Sequence, residues 1–250
     1  MRPKVSVSVV SYNNGQQLVD CIESMLECCT GCDLTVYLID NYGNDNLRER
    51  FCKYPITIID GHGNVGFGAG HNLVLDLIDS DYHAVVNPDI RFSEDTFLHL
   101  CEFLTENTDT VMVTPKILNI DGSIQGLPRL KPTFRYLLSG RAPGLQHVRN
   151  RYTMADSDFD TAFDIEFCTG CFFLMPTAIF KQLGGFDTDF FMYFEDTDIT
   201  HRAAKLGRVQ YAPVSKVTHA WNRTSKHNVK YFLIHIDAYF KYIHKWGFRL

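Results

Sequence analysis

No stretch of the chain approaches the roughly 20 consecutive apolar residues of a membrane-spanning helix, which excludes such a span within the sequence. Met1-Arg2-Pro3-Lys4 leads straight into an alternating apolar run, without the long apolar core of a secretory leader, so a cytoplasmic protein is expected. A basic excess is also missing. Lys and Arg total 24 against 29 Asp and Glu, a formal net charge of -5, which argues against a general nucleic-acid binder. The glycine fingerprint of dinucleotide-binding enzymes belongs directly after the first strand. Ser11-Tyr12-Asn13 stands there instead, so no redox nucleotide is expected. No internal repeat and no linker composition divides the 250 residues. One domain over residues 1–220 is expected, with a basic amphipathic helical segment over 221–250 packed on it.

Cysteine is not scarce, and it needs an explanation. The tetrapeptide Cys-Thr-Gly-Cys occurs at Cys29–Cys32 and again at Cys168–Cys171. Two such pairs could supply a four-thiolate zinc site, but they lie far apart in sequence and neither has a compact ribbon around it. Buried, inert thiols are the plainer reading.

Apolar runs alternate with helical spacing through the first half. Strands are predicted over residues 5–10, 34–39, 56–59, 82–86 and 111–113. Helices are predicted after Gly15, near 46–53, over 71–78, and after Ser93 as N-cap. This is the pattern of an α/β sandwich on a mostly parallel sheet, in which ligands bind beyond the carboxyl ends of the strands. Asn13, Asp40, Asn64 and Asp89 each follow such a strand. Residues 127–164 read as a long loop with short helical pieces. Further strands are predicted over 167–175, 209–212 and 217–218, with helices from Thr177 to the Gly184-Gly185 stop and over 198–206. A closing helix carries the stripe Tyr231, Ile234, Ala238, Tyr242 and Trp246.

Chemistry concentrates in a few places. Phe190-Phe191-Met192-Tyr193-Phe194-Glu195-Asp196-Thr197-Asp198 sets three carboxylates against an aromatic run, where apolar surroundings raise the cost of charge. Such a group suits a proton acceptor or a cation site. Arg202 stands one turn beyond Asp198 and can balance it, leaving Asp196 as the candidate base. Asn87-Pro88-Asp89 reads either as a turn or as a carboxylate for a hard cation such as Mg2+ or Mn2+. His219 follows a strand and is a candidate ligand. The glycine-rich segment Gly61-His62-Gly63-Asn64-Val65-Gly66-Phe67-Gly68-Ala69-Gly70 can present backbone amides to a phosphate or a sugar.

Basic residues cluster as well. One group is Arg129, Lys131, Arg135, Arg141, Arg149 and Arg151. The other is Lys216, Arg223, Lys226, Lys230, Lys241, Lys245 and Arg249. On an acidic protein they suggest a local anionic partner, a diphosphate or a membrane surface. For the second group, with Tyr239, Trp246 and Phe248, an interfacial membrane patch and a helix packed on the domain are both open readings.

Taken in order, these motifs resemble glycosyltransferase family 2, in its rhamnosyltransferase-like branch of bacterial surface-polysaccharide (O-antigen) synthesis. The matching segments are Val9-Val10-Ser11-Tyr12-Asn13, Leu38-Ile39-Asp40-Asn41, residues 64–72, Asn87-Pro88-Asp89, Thr169-Gly170, Gly184-Gly185-Phe186-Asp187 and residues 190–198. The resemblance implies a GT-A fold, a three-layer sandwich with a mostly parallel central sheet and a C-terminal helical appendage. It implies inverting transfer of a sugar, rhamnose favoured, from a nucleotide-diphospho-sugar (dTDP-rhamnose or a UDP-hexose). The acceptor would be a saccharide on a polyprenyl diphosphate, at the inner face of the plasma membrane. Tyr12, Asn13, Asp40, Asn41, Asn64, Gly66, Asn72 and Asn87 would line the donor site. Asp89 and His219 would hold Mg2+ or Mn2+. Asp196 would be the base, with Glu195 beside it, and Thr169, Gly170 and Asp198 would meet the acceptor. Asn87 stands where many relatives carry a second metal-binding Asp. A sugar-nucleotide nucleotidyltransferase, a non-catalytic binding module and a glycosidase are the alternatives. The first normally shows a glycine-rich basic loop where Ser11-Tyr12-Asn13 stands. A binding module has no use for Asp196, and a glycosidase needs two facing carboxylates.

Overall fold

Buried strands with polar stops at their ends build the molecule. In the computed structural model, which describes residues 1–43, 46–133, 136, 144–220 and 229–248, nine strands form one sheet. β1 (Lys4–Ser11), β2 (Asp33–Asp40), β3 (Ile56–Ile59) and β4 (Tyr82–Val86) are parallel, in the order β3-β2-β1-β4. β8 (Phe172–Pro176) runs antiparallel against β4. β6 (Thr110–Leu118) and β9 (Arg208–His219) extend the sheet, parallel to each other. Two short strands, β5 (Ile90–Phe92) and β7 (Phe163–Asp164), pair antiparallel with β9.

Period-two alternation sends side chains to both faces. On one side Val36, Leu38, Phe172 and Leu174 pack with α1 (Gln16–Cys28), α2 (Leu47–Arg50) and α4 (Thr96–Glu106). On the other side Tyr37, Ile39, Phe173 and Met175 meet α3 (Phe67–Asn72), α6 (Thr177–Gln182) and α7 (Glu195–Ala203). The short α5 (Gln146–Tyr152) lies within the long connection after β6. A third cluster joins Phe190 and Phe194 to Ala238 and Tyr242 of α8 (Val229–Trp246).

The structure corrects several local expectations. Asp95, not Ser93, caps α4, accepting from the Leu98 amide at 3.3 Å. α7 starts at Glu195, three residues before the predicted Asp198, so all three acids stand in its first turn, where the helix dipole favours anions. β9 runs unbroken through Pro213, because its neighbours β6 and β5 pair with it on either side of that residue. The cysteines of both tetrapeptides are buried free thiols. Burial pushes Cys29 up to about 12 and Cys168 well above the usual thiol range, so both stay protonated.

Candidate active site

Two clefts open at the carboxyl ends of the parallel strands, each with a volume of about 330 Å³, and both are lined by Asn87 and Asp89. The first, called the donor-side cleft after the role expected of its residues, contains Tyr12, Asn41, Asn64 and Gly66. The second contains Thr169, Glu195, Asp196 and His219. The strand-end motif Asn87-Pro88-Asp89 is thus the shared wall.

The donor-side cleft is made of loops that satisfy themselves. Asn41 Nδ2 donates to the Gly66 carbonyl at 2.8 Å, and the Gly66 amide donates to Asn64 Oδ1 at 3.0 Å. Gly66 has a left-handed φ of 91°, and a Cβ there would collide with the Phe191 carbonyl, so only glycine fits. Phe67 in turn donates its amide to that carbonyl at 3.0 Å. Asn41 Oδ1 is buried with no hydrogen-bond partner among the described residues, which leaves it an acceptor for a ligand.

Three expected donor residues stand elsewhere. Asn13 is exposed and lines neither cleft; its neighbour Asn14 lines the cleft instead. Asp40 Oδ1 accepts from the Tyr42 and Gly43 amides at 2.9 and 2.8 Å, and Asp40 borders a separate depression with Arg48 and Asp60. Asn72 is spent on the Gly184-Gly185-Phe186 turn. Its Nδ2 donates to the Phe186 carbonyl at 2.7 Å and its Oδ1 accepts from the Phe186 amide at 2.8 Å.

Antiparallel pairing puts Ile90 opposite His219, which brings Asp89 beside the imidazole. His219 Nε2 lies 3.2 Å from Asp89 Oδ1. Gln125 Nε2 donates to Asn119 Oδ1 at 2.9 Å and to the His219 carbonyl at 3.2 Å, so its Oε1 is the atom at 2.7 Å from His219 Nδ1. That network places a proton on Nδ1; in the neutral ring the Nε2 lone pair then points toward the carboxylate. Asp89 Oδ1 is buried and accepts no hydrogen bond among the described residues. A lone pair and a carboxylate oxygen face to face fit a divalent cation. Among the described residues no third His, Cys, Asp or Glu joins them, so the remaining ligands of such an ion would be substrate oxygens or water.

The catalytic-side cleft is built on strain and buried charge. Tyr193 and Phe194 are consecutive left-handed residues, φ 74° and 66°, at a cost of roughly 1–2 kcal/mol each. Packing holds them there. The Phe194 ring lies 5.2 Å from Tyr242 and 5.3 Å from His235, both on α8. The turn presents Asp196 to the cleft, where Oδ2 accepts from the Gly170 amide at 3.2 Å and Oδ1 from the Thr197 amide at 2.8 Å. Burial raises its carboxyl above the ordinary aspartate range, against those two bonds and the charge of Arg129. Burial, then the charge of Asp196, pushes Glu195 up further, and its Oε2 is buried with no hydrogen-bond partner among the described residues.

Asp198 does not reach the acceptor side. It is fully buried and bound to Arg202 Nε at 2.8 Å, Lys245 Nζ at 2.7 Å and Trp246 Nε1 at 2.8 Å. The pairing with Arg202 is the expected one. Lys241 is held by Asp237 at 2.8 Å, and Lys245 also bonds Asp187, so these two lysines of the expected membrane patch are engaged within the protein. The outer face of α8 instead exposes Val229, Leu233 and Phe240. Of the basic residues singled out in the sequence, Arg135, Arg141, Arg223, Lys226 and Arg249 lie outside the described residues, as does the side chain of Lys230. Among the described residues no helix is long and apolar enough to cross a membrane.

Several lining residues carry little signal in the linear chain. Tyr231, Ile234 and His235 reach the clefts from α8, and Arg129 and Tyr152 from the long connection. The apolar stripe on the closing helix was the signal for Tyr231 and Ile234; Arg129 stood out only as one of a basic group.

Comparison with known proteins agrees with this geometry. "Rhamnosyltransferase WbbL" of Escherichia coli K12 is 24% identical over 255 residues, covering 95% of this chain and 92% of its own. An N-acetylglucosaminyl-diphospho-decaprenol L-rhamnosyltransferase of Mycobacterium tuberculosis is 26% identical, over 88% of this chain and 76% of its own. A low-salt glycan biosynthesis hexosyltransferase of Haloferax volcanii, Agl10, is 24% identical over 82% of this chain, which spans 63% of that protein. Among solved structures, GalNAc-T7 with UDP, GalNAc and Mn2+ superposes with a TM-score of 0.72 at 14% identity, covering 98% of this chain and 48% of that one. The Pyrobaculum calidifontis mannosyltransferase PcManGT with GDP-Man and Mn2+ gives 0.67 at 17% identity, covering 98% and 65%. The fold is therefore the GT-A fold. The family model for glycosyl transferase family 2 matches residues 6–184, from the first strand through the helix after β8, and the chain belongs to that family.

Proposed function

We propose that the protein transfers a sugar, with rhamnose favoured, from a nucleotide-diphospho-sugar to a hydroxyl of a growing saccharide on a polyprenyl diphosphate, inverting the anomeric centre. The observation that carries this reading is the shared wall: Asn87 and Asp89 border both clefts, and Asp196 lines only the second. A donor diphosphate at Asp89 would hold its anomeric carbon at the junction. The acceptor would enter along Thr169 and Gly170. Asp196 then takes the proton of the acceptor hydroxyl as its oxygen bonds to the anomeric carbon. The bond from that carbon to the phosphate oxygen breaks, and its electron pair leaves with the nucleoside diphosphate. Attack and departure on opposite faces invert the configuration.

Raised by burial, Asp196 is a stronger base than an exposed aspartate, while the Gly170 and Thr197 amides keep the anion accessible. Asp89 and His219 would hold Mg2+ or Mn2+, which when bound supplies charge neutralisation for the leaving diphosphate. In this reading residues 1–220 carry the chemistry and α8 steadies it. The protein works peripherally at the inner membrane face, with the outer apolar face of α8 rather than Lys241 and Lys245 toward lipid.

The test is release of nucleoside diphosphate across dTDP-rhamnose and UDP-hexoses, with an N-acetylglucosaminyl diphosphate acceptor. One donor should be consumed with stoichiometric glycosylation of the acceptor, and a chelator should stop it. Failure of every donor would sink the transferase reading; turnover indifferent to chelator would sink the metal assignment.

A further inference from the structure

Among the described residues, Arg129 is the one arginine or lysine that lines the catalytic-side cleft, and the transfer chemistry leaves it unused. Its backbone is pinned from two sides. The Arg129 carbonyl accepts from the Glu166 and Phe167 amides at 3.1 and 3.0 Å, and the next amide, Leu130, donates to the Tyr152 carbonyl at 3.0 Å. Its guanidinium packs against two rings, 5.7 Å from the centre of Tyr152 and 5.6 Å from that of Phe167. Contact with both rings restricts how the fork can turn. Nε is buried with no hydrogen-bond partner among the described residues. No carboxylate of the described residues comes within ion-pair distance of it. A cation this constrained, in a partly desolvated wall and with Asp196 acting on it only from beyond ion-pair distance, is placed to take an anion from a ligand.

The distance along the cleft narrows which anion. Arg129 is anchored at Phe167 and Asp196 at Gly170, three residues further along the same segment. Three extended residues span at most about 10 Å. A gap within that limit would take one pyranose ring, its reacting hydroxyl at Asp196 and a phosphoryl group on its far carbon at Arg129. We infer that Arg129 is the seat of a phosphoryl group carried by the acceptor, so that the enzyme recognises a sugar still attached to its diphosphate and acts on the first sugar of a chain. This rests on the transferase reading and names the acceptor's anionic handle.

The test compares two acceptors, an N-acetylglucosaminyl diphosphoalkane and the neutral alkyl glycoside of the same sugar, with wild type, Arg129→Gln and Arg129→Lys. Wild type should prefer the diphosphate. Arg129→Gln should lower the ratio of kcat/KM values, diphosphate over glycoside, by about tenfold to a hundredfold, the loss of a charge-assisted hydrogen bond, and Arg129→Lys should fall between. Equal use of both acceptors by wild type overturns the inference whether or not the Gln variant folds. So does an equal loss on both acceptors in the variants, which would make Arg129 a support for Asp196 or for the fold. No product from either acceptor, with nucleoside diphosphate still released to water, strikes the lipid-linked acceptor itself, and the inference falls with it.

Discussion

The two clefts differ in how they are held. The donor-side wall is held chiefly by hydrogen bonds within and between strand-end loops, Asn41 to Gly66 and Gly66 to Asn64, with the Phe191 carbonyl accepting from Phe67 as its long-range tie. The catalytic-side wall depends on contacts from far along the chain. α8 braces the left-handed Tyr193-Phe194 turn, and Lys245 and Trp246 close over Asp198. One wall is preorganised by local geometry. The other stores backbone strain and buried charge, and it stays in place only while a helix more than 30 residues away is docked, as the 48-residue separation of Asp198 and Trp246 illustrates.

The largest effect should come from the group that this bracing serves. Asp196→Asn removes the base but keeps the shape, so kcat should fall by about a thousandfold with donor affinity unchanged. Single-turnover kinetics with a donor-binding titration checks both halves. Wild-type turnover in this variant would remove Asp196 from the mechanism.

Next in size is the clamp itself. Asp198→Ala leaves Arg202 and Lys245 facing each other across a buried space, which should cost about 3 kcal/mol in a denaturant melt. It should also lower kcat more than it weakens donor binding, because Asp196 stands on the same helical turn. If stability and kcat both hold, the contrast between a locally held wall and a remotely braced one is wrong.

What the sequence could disclose follows the same division. The predicted strands 5–10, 34–39, 56–59 and 82–86 coincide with β1 to β4 to within two residues, because a doubly buried strand is a continuous apolar run with a polar stop. Tyr12, Asn41, Asn64, Asn87 and Asp89 were legible for that reason. The meeting of Asp89 with His219 was expected from motifs, and the β5–β9 pairing that makes it was not, since three residues are too few for periodicity to register. The start of α7 was misplaced because aromatic residues with positive φ have no local signal; tertiary packing imposes them. Arg129 has no periodic context at all. Asn72 and Asp198 were read as ligands because their long-range partners cannot be seen in a linear chain.

The two regions also answer acid in opposite directions. His71 and His83 lie buried beneath β1, bonded to Ser8 and Ser6, and burial holds His83 down to about 3 and His71 well below its usual value. Both take up protons on unfolding below about pH 6.5, so each loses about 1.4 kcal/mol of stability per pH unit as pH falls from there toward its folded value. Glu195 is shifted upward, so its contribution runs the other way: full below its unfolded value near 4.5 and lost as pH rises toward its folded one. Between pH 6.5 and 5 it offsets part of the histidine loss. Glu195→Gln removes that offset, and its Tm should drop more steeply with acidification than that of wild type. Parallel Tm curves would show that Glu195 is ionised in the folded protein.

The smallest expected effect tests the donor wall where the sequence reading and the structure part. Asn72 makes two hydrogen bonds to the Phe186 backbone, and a Cβ at Gly185, where φ is 67°, would collide with its side chain. Asn72→Ala should therefore cost about 1–2 kcal/mol of stability, roughly the worth of two such bonds. Donor affinity should stay unchanged, because the amide holds a turn and not a ligand. Equilibrium denaturation and a donor titration separate the two roles. A large loss of donor affinity with unaltered stability would return Asn72 to the ligand, and the donor side would then depend on a contact 114 residues distant in sequence, just as the catalytic side depends on α8.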